Sequence, residues 1–419
     1  MLRFTFIIAF LCTSVYLSQG QYTLTQALQD ASTKNSTATL IDLARQEADL
    51  KYSIASHKNL PQLNLVAQST YQSETSGIDL SFPGVSIPRL SKDQYKAQLD
   101  ISQNIYDGGA ISALKDNARL EGELNAINAV ADMDKIKERV ILLYFGILEV
   151  DKRLENLQLV KDDLNGMEKR LTAAVQNGIS LKSELNNIKV EQINVATQEN
   201  ELSTIRKTLT TQLEVWTHHN LAPSDKLEIP STTLIDESFN KQLPALAMFD
   251  VQKKQISLAQ RLDEIARRPK IGAFAQLGYG KPGLNFLKNE FAPYYLVGVR
   301  AQWNISSFYD QSHQNKLNAL YQSKLQVKED LVYQQLNTQA IQMQNDIAKL
   351  EDTKDMDSEI ILLRKQIKET GAVQLENGAI TSADYLLKLN DYKESILKLE
   401  LNQILARKTQ YLLKHLKGY

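Results

Sequence analysis

The chain has 419 residues, 43% of them hydrophobic and 23% charged, which excludes global disorder. Its 48 Lys plus Arg against 49 Asp plus Glu leave a formal net charge of −1, too little positive charge to hold nucleic acid. A mean hydropathy of −0.32 excludes a polytopic helical membrane protein.

The first element is a leader. Arg3, the apolar run 4–17 and Ser18-Gln19-Gly20 before Gln21 read as a secretory signal over residues 1–20. The apolar run is short for an uncleaved anchor. Cys12, the only cysteine, lies inside it behind Ala9-Phe10-Leu11, a poor context for lipid attachment. The expected mature chain is exported, free of cysteine and without a lipid anchor.

Proline divides the rest of the chain. All nine prolines fall in narrow zones, and residues 89–222 and 294–419 contain none, so long continuous helices are permitted there. The spacing predicts a first repeat over 21–217, consisting of a helix, a β-hairpin at 60–106, a long helix at 109–176, a tip turn and a helix at 181–217. A linker at 218–235 leads to a second repeat over 236–419, with a helix, a hairpin at 269–305, a long helix at 310–376, a tip turn and a helix at 381–417. At about 1.5 Å per residue each long helix would be a rod of roughly 100 Å, which points to coiled-coil-like packing. Leu181, Ile188, Val195, Leu202 and Leu209 recur every seven residues, as do Val150, Leu157, Leu164 and Leu171, with Lys161 and Glu168 intruding.

The hairpins alternate with period two. Leu63, Leu65, Ala67, Ser69 and Tyr71 share a face, as do Tyr95, Ala97, Leu99 and Ile101. So do Ile271, Ala273, Ala275, Leu277 and Tyr279, and Tyr295, Val297, Val299, Ala301 and Trp303. This is the weak signature of a transmembrane barrel strand, and a single such hairpin better suits a half-buried sheet in a soluble domain.

The halves repeat. Asn177-Gly178 recurs as Asn377-Gly378, and at the same offset of 200 Asn104-Ile105 matches Asn304-Ile305 and Glu184 matches Asp384. Asn-Gly ends a helix through a left-handed residue, so each pair marks the tip of a helical hairpin. Four strands cannot close a barrel, for bacterial barrels begin at about 8 strands, and lipid does not tolerate open sheet edges. Hairpins that enter a membrane must therefore share one barrel among copies, and three copies would supply about 12 strands.

Five segments carry a resemblance. They are Tyr22-Thr23-Leu24-Thr25-Gln26-Ala27-Leu28, Leu60-Pro61-Gln62-Leu63, Ile105-Tyr106-Asp107-Gly108-Gly109, Asn177-Gly178-Ile179-Ser180, and Asn377-Gly378-Ala379-Ile380-Thr381-Ser382-Ala383-Asp384. In order, spacing and duplication the mature chain resembles the TolC-like outer membrane efflux proteins. The second half departs from that pattern at Ser307-Phe308-Tyr309-Asp310-Gln311-Ser312, where Gly-Gly is usual.

The resemblance implies a mainly α protomer with transmembrane β-strands. Three protomers would share a 12-stranded β-barrel in the outer membrane lipid of a Gram-negative-type cell, above a periplasmic α-barrel. It implies a homotrimeric exit duct that docks a periplasmic adaptor (membrane fusion) protein and an inner-membrane RND or ABC pump, which supplies the energy. The tips Asn177, Gly178, Ile179, Ser180, Asn377, Gly378, Ala379 and Ile380 would then meet the adaptor, where the plainer reading makes them turn residues only. Glu184 and Asp384 would form acidic rings at the periplasmic aperture, favouring cations, where the plainer reading is a solvated helix face.

Nothing in the sequence points to an enzyme, a cofactor or a nucleic-acid partner. His218-His219 lacks a carboxylate or thiolate at ligand spacing and reads as surface linker. Gly278-Tyr279-Gly280-Lys281-Pro282-Gly283 lacks the spacing of a phosphate loop. The rival readings are a soluble periplasmic coiled-coil scaffold and, behind it, a periplasmic adaptor.

Overall fold

The computed structural model describes residues 22–75, 90–222, 225–231 and 238–419. The predicted leader with Cys12, together with Pro83, Pro88 and Pro223, lies outside the described residues. The elements run α1 (Leu24–Lys34), α2 (Thr37–His57), β1 (Gln62–Tyr71), β2 (Asp93–Tyr106), α3 (Ala110–Gln176) and α4 (Lys182–Thr217). They continue with α5 (Pro244–Ala266), β3 (Lys270–Lys281), β4 (Ala292–Gln302), a 3-10 turn (Ile305–Phe308), α6 (Gln311–Asp352), α7 (Lys354–Glu376) and α8 (Ser382–Leu416).

Local chemistry sets these boundaries. Thr23 and Gln26 close a capping box at α1, and Pro244 occupies the first turn of α5, where its missing N–H costs nothing. Asp107 caps α3, its carboxylate accepting the N–H groups of Gly109 at 2.8 Å and Ile111 at 2.6 Å. Gly108 and Gly109 take φ of +73° and +100°, which lets the chain turn sharply from β2 into α3. The second half lacks those glycines and instead passes from β4 to α6 through the 3-10 turn, which keeps φ negative. The expected rod over 310–376 is divided at Thr353, which stays right-handed but turns its hydroxyl back on the Lys349 and Leu350 carbonyls.

The described residues fall into two compact units. One, in which the described regular elements are helices and a single bridge joins Tyr22 to Leu227, comprises the residues up to Ala38, Asp132–Asn240 and Leu336–Tyr419. Its first core packs Leu24, Ala27 and Ala31 of α1 against Val140, Tyr144, Phe145 and Leu148 of α3, with Leu213 and Ile404. The Tyr144 hydroxyl lies 2.8 Å from the carbonyl oxygen of Tyr22 and 2.7 Å from that of Glu228. Its second core joins α3, α4, α7 and α8 through Leu157, Leu164, Leu171, Ile188, Val195, Leu375, Tyr385 and Leu389. The heptad reading holds, except that Leu181 precedes α4 as its N-cap and is 69% exposed. Lys161 and Glu168, the polar intruders, are satisfied by α4: Lys161 bonds Glu199 at 2.8 Å, and Gln192 donates to Glu168 at 3.0 Å.

The other unit comprises Thr39–Ala131 and Lys241–Gln335 and carries all four strands. They form one antiparallel sheet in the order β1-β2-β3-β4, so β1 and β4 are its two edges. A bulge between Asn104 and Tyr106 shifts the register where β2 leaves the sheet. Trp303, grouped by its alternation with β4, falls just beyond that strand and donates its indole N–H to the Arg267 carbonyl at 2.8 Å.

Candidate functional site

The two faces of the sheet differ at their centres. Leu65, Leu99, Leu277 and Tyr295 stand side by side across the four strands, and Leu63, Ile101, Ala275 and Val297 form the neighbouring row. Leu65 is 80% and Tyr295 73% exposed, so the apolar face is bare in the protomer. Aromatic side chains collect at its ends, with Phe291 stacked on Tyr279 at 5.7 Å and Trp303 meeting Phe308 edge-on at 6.3 Å. The opposite face carries Val66, Phe274 and Leu296 around a central polar network whose members bond one another. Asp100 accepts from Gln98 at 2.8 Å and from Gln276 at 2.9 Å, while the Tyr294 hydroxyl donates to Gln98 at 2.9 Å. Alternation along each strand foretold the two faces. The Gln98–Asp100–Gln276–Tyr294 network escaped it, because Gln276 and Tyr294 reach the β2 pair Gln98–Asp100 only through the pairing of β2 with β3 and β3 with β4.

The two hairpin tips belong to the helical unit. Gly178 and Gly378 have φ of +71° and +70°, and the N–H two positions beyond Asn returns to the helix: Ile179 to the Ala174 carbonyl and Ala379 to that of Gln374, both at 2.8 Å. A side chain at either glycine would meet no atom within 4 Å, so only the backbone angle demands glycine there. Asn177, Gly178, Ile179, Asn377, Gly378 and Ala379 are exposed; Ser180 and Ile380 are half-buried, Ile380 lying against the second core.

Glu184 and Asp384, equivalent by repeat, do different work. Asp384 closes a capping box on Thr381, accepting its N–H at 3.1 Å and its hydroxyl at 2.7 Å. At the matching position of the first repeat stands Leu181, which cannot cap. Glu184 is thereby free to reach the other hairpin, where it accepts the Ser382 N–H at 2.5 Å. Asn187 of α4 donates to the buried Ser382 hydroxyl at 3.0 Å. The first turn of α8 is thus held by two carboxylates, a favourable place for negative charge at a helix N-terminus. Sequence reading missed Ser382 and Asn187, and the only trace was the Leu181/Thr381 mismatch between repeats.

Hydrogen bonds from Thr381 lower the Asp384 pKa below the ordinary carboxylate value. A lowered folded-state pKa contributes stability that is present above the unfolded value and lost as pH falls through the folded one. Amide protection at the start of α8, taken relative to the intrinsic exchange rate, should therefore fall below about pH 4. In Asp384→Asn that acid-dependent step should vanish; a step of unchanged size in the variant would assign it to another group.

The remaining motifs have structural explanations. His218 ends α4 in a left-handed conformation, and His219 stacks on Tyr22 with ring centroids 4.2 Å apart. Gly278, Gly280 and Lys281 are strand residues of β3, with the Tyr294 ring lying over Gly278. Among the described residues no helix is long and apolar enough to cross a membrane.

These features recur in solved structures. The chain superposes on the outer membrane protein VceC of Vibrio cholerae with a TM-score of 0.70, covering 94% of this chain and 96% of that one at 13% identity. The Campylobacter jejuni CmeC outer membrane channel gives 0.69, 94%, 86% and 13% in the same order. The fold is that of the TolC-like outer membrane channels. The Neisseria gonorrhoeae MtrE outer membrane channel has this TolC-like fold too, with a TM-score of 0.68, 94% and 89% coverage and 14% identity. By sequence the chain matches no family model and no curated protein.

Proposed function

We propose that this chain is one protomer of a trimeric outer membrane channel, the exit duct of a tripartite efflux or secretion system. The observation that carries this reading is the sheet: four strands with both edges open, one face with a bare apolar centre, and a hydrogen-bonded polar network on the other face. Open edges are not tolerated in lipid, and three copies pairing β4 with β1 remove every edge in a barrel of about 12 strands. The apolar face then meets lipid and the Asp100 face lines the lumen. The TolC-like fold supports the same assignment. Transport is passive in this reading, with cargo energised by an inner-membrane RND or ABC pump and delivered through a periplasmic adaptor.

The tips Asn177–Gly178–Ile179–Ser180 and Asn377–Gly378–Ala379–Ile380, exposed in all but Ser180 and Ile380, are the adaptor's docking points. Glu184 and Asp384 contribute negative charge at the periplasmic aperture, where rings of carboxylates favour cations. Because Glu184 also caps α8 from the other hairpin, the aperture charge and the joining of the two hairpins share that side chain.

Light scattering of detergent-extracted protein, corrected for bound detergent, should give a mass near three protomers. The extracted protein should form conducting pores in planar bilayers, and Glu184→Gln with Asp384→Asn should shift the reversal potential in a salt gradient toward lower cation preference. A monomer released without detergent would replace the duct with a soluble periplasmic scaffold. Pores whose reversal potential is unmoved by the double substitution would remove the acidic-ring assignment alone.

A further inference from the structure

The helices of the strand-bearing unit form a series with two free ends. Lys51 of α2 bonds Glu121 of α3 at 3.0 Å, Glu123 of α3 bonds Lys254 of α5 at 2.9 Å, and Lys253 of α5 pairs with Glu329 of α6 at 2.7 Å. The series α2-α3-α5-α6 therefore places α2 and α6 outermost. The sheet is ordered the same way: α2 leads into edge strand β1, and α6 comes after edge strand β4.

Both outer helices carry an apolar seam that the protomer leaves open. On α2 it is Leu40, Leu43, Leu50 and Ile54, and on α6 it is Leu317, Leu320, Val327 and Leu331, with Leu50 66% and Leu320 65% exposed. Steps of three and four residues run through both, the spacing of a helix-packing seam. Each seam is interrupted once, at its middle position. The interruption is acidic on α2, Glu47, and basic on α6, Lys324, and both are exposed. Within the protomer Glu47 pairs with Lys51 at 2.8 Å, an exposed pair on the same helix. Lys324 meets no carboxylate among the described residues.

Resting on the trimeric reading above, we propose that α2 of one copy packs against α6 of the next, antiparallel, with Glu47 facing Lys324 across the joint. The directions require it, since α2 runs toward the sheet and α6 runs away from it. With that charge pair aligned, Leu50 falls beside Leu320, Leu43 beside Val327, Ile54 beside Leu317 and Leu40 beside Leu331. The partner is a second copy of this chain. The two surfaces differ, so the contact is head-to-tail and closes only as a ring. It continues below the membrane the joint that β4 and β1 make within it. One charged pair inside an apolar seam sets register, because any slide along the seam leaves both charges against apolar neighbours.

Disulfide trapping tests this. In a Cys12→Ser background, Leu50→Cys with Leu320→Cys should yield, on oxidation, a three-chain species in denaturing gels that collapses to one chain on reduction. Neither single cysteine should link chains. Glu47→Lys should cause loss of the trimer in detergent, and Glu47→Lys with Lys324→Glu should restore it. A detergent trimer in which the double-cysteine chains stay unlinked would overturn the α2–α6 joint while leaving the trimer intact. Dimers from Leu50→Cys alone would overturn it in favour of a symmetric α2 face. A monomer by light scattering in the otherwise unaltered protein would defeat the trimeric reading, and the joint with it.

Discussion

Leu277→Arg should abolish recovery of the trimer from the membrane fraction. Leu277 lies in the central row of the apolar face between Leu99 and Tyr295, and the protomer leaves 49% of it exposed. An arginine at the lipid midplane of a barrel costs roughly 2–4 kcal/mol, and the penalty recurs in every copy of the ring. The chain is expected to accumulate unassembled, measured as lost detergent-dependent extraction and lost trimer mass. Gln276→Arg places the same charge one residue away, on the opposite face beside Asp100, where a carboxylate can receive it. That variant should assemble normally. Equal tolerance of both substitutions would mean that neither face meets lipid.

Tyr385→Ala should loosen the hairpin tips without disturbing the sheet. Tyr385 is 1% exposed at the centre of the core that joins α3, α4, α7 and α8, one turn into the helix that Glu184 and Thr381 cap. Truncating a buried aromatic costs about 3–5 kcal/mol, comparable to a large part of a domain's net stability. Amide exchange should rise throughout 160–200 and 370–395 and stay at its original level in β1–β4. Protection lost equally in the strands would show that the two regions unfold together. Burial also raises the Tyr385 pKa from its ordinary value of 10 to about 12. Its contribution to stability is therefore complete below about pH 10 and lost as pH rises through about 12. Tyr385→Phe, which cannot ionise, should reduce the alkaline loss of tip protection over that window.

The site was legible to unequal degrees. The positive φ at Gly178 and Gly378 follows from the Asn-Gly pairs, because the preference belongs to the residues themselves. The bare apolar face follows from period-two alternation, and the register of β1 with β2 preserves it because a one-residue slip would turn every side chain over. The repeat offset suggested equal roles for Glu184 and Asp384. Their hydrogen bonds are unequal, since one substitution at the N-cap, Leu181 for threonine, redirects a carboxylate from its own helix to another.

What local sequence decided is the set of elements: where helices run unbroken, where they turn, and which face of each strand is apolar. Those features depend on backbone sterics and on periodicities of two and of three to four residues, all expressed between near neighbours in the chain. What only the tertiary structure decided is who meets whom. Glu184 caps a helix whose first residue, Ser382, is 198 positions away, Asp100 finds Gln276 across a strand pairing, and α2 and α6 emerge as the two ends of one series. Such meetings depend on how whole elements pack, and no local pattern carries that information because a carboxylate on a helix looks the same in sequence whether it faces water or a neighbouring helix end.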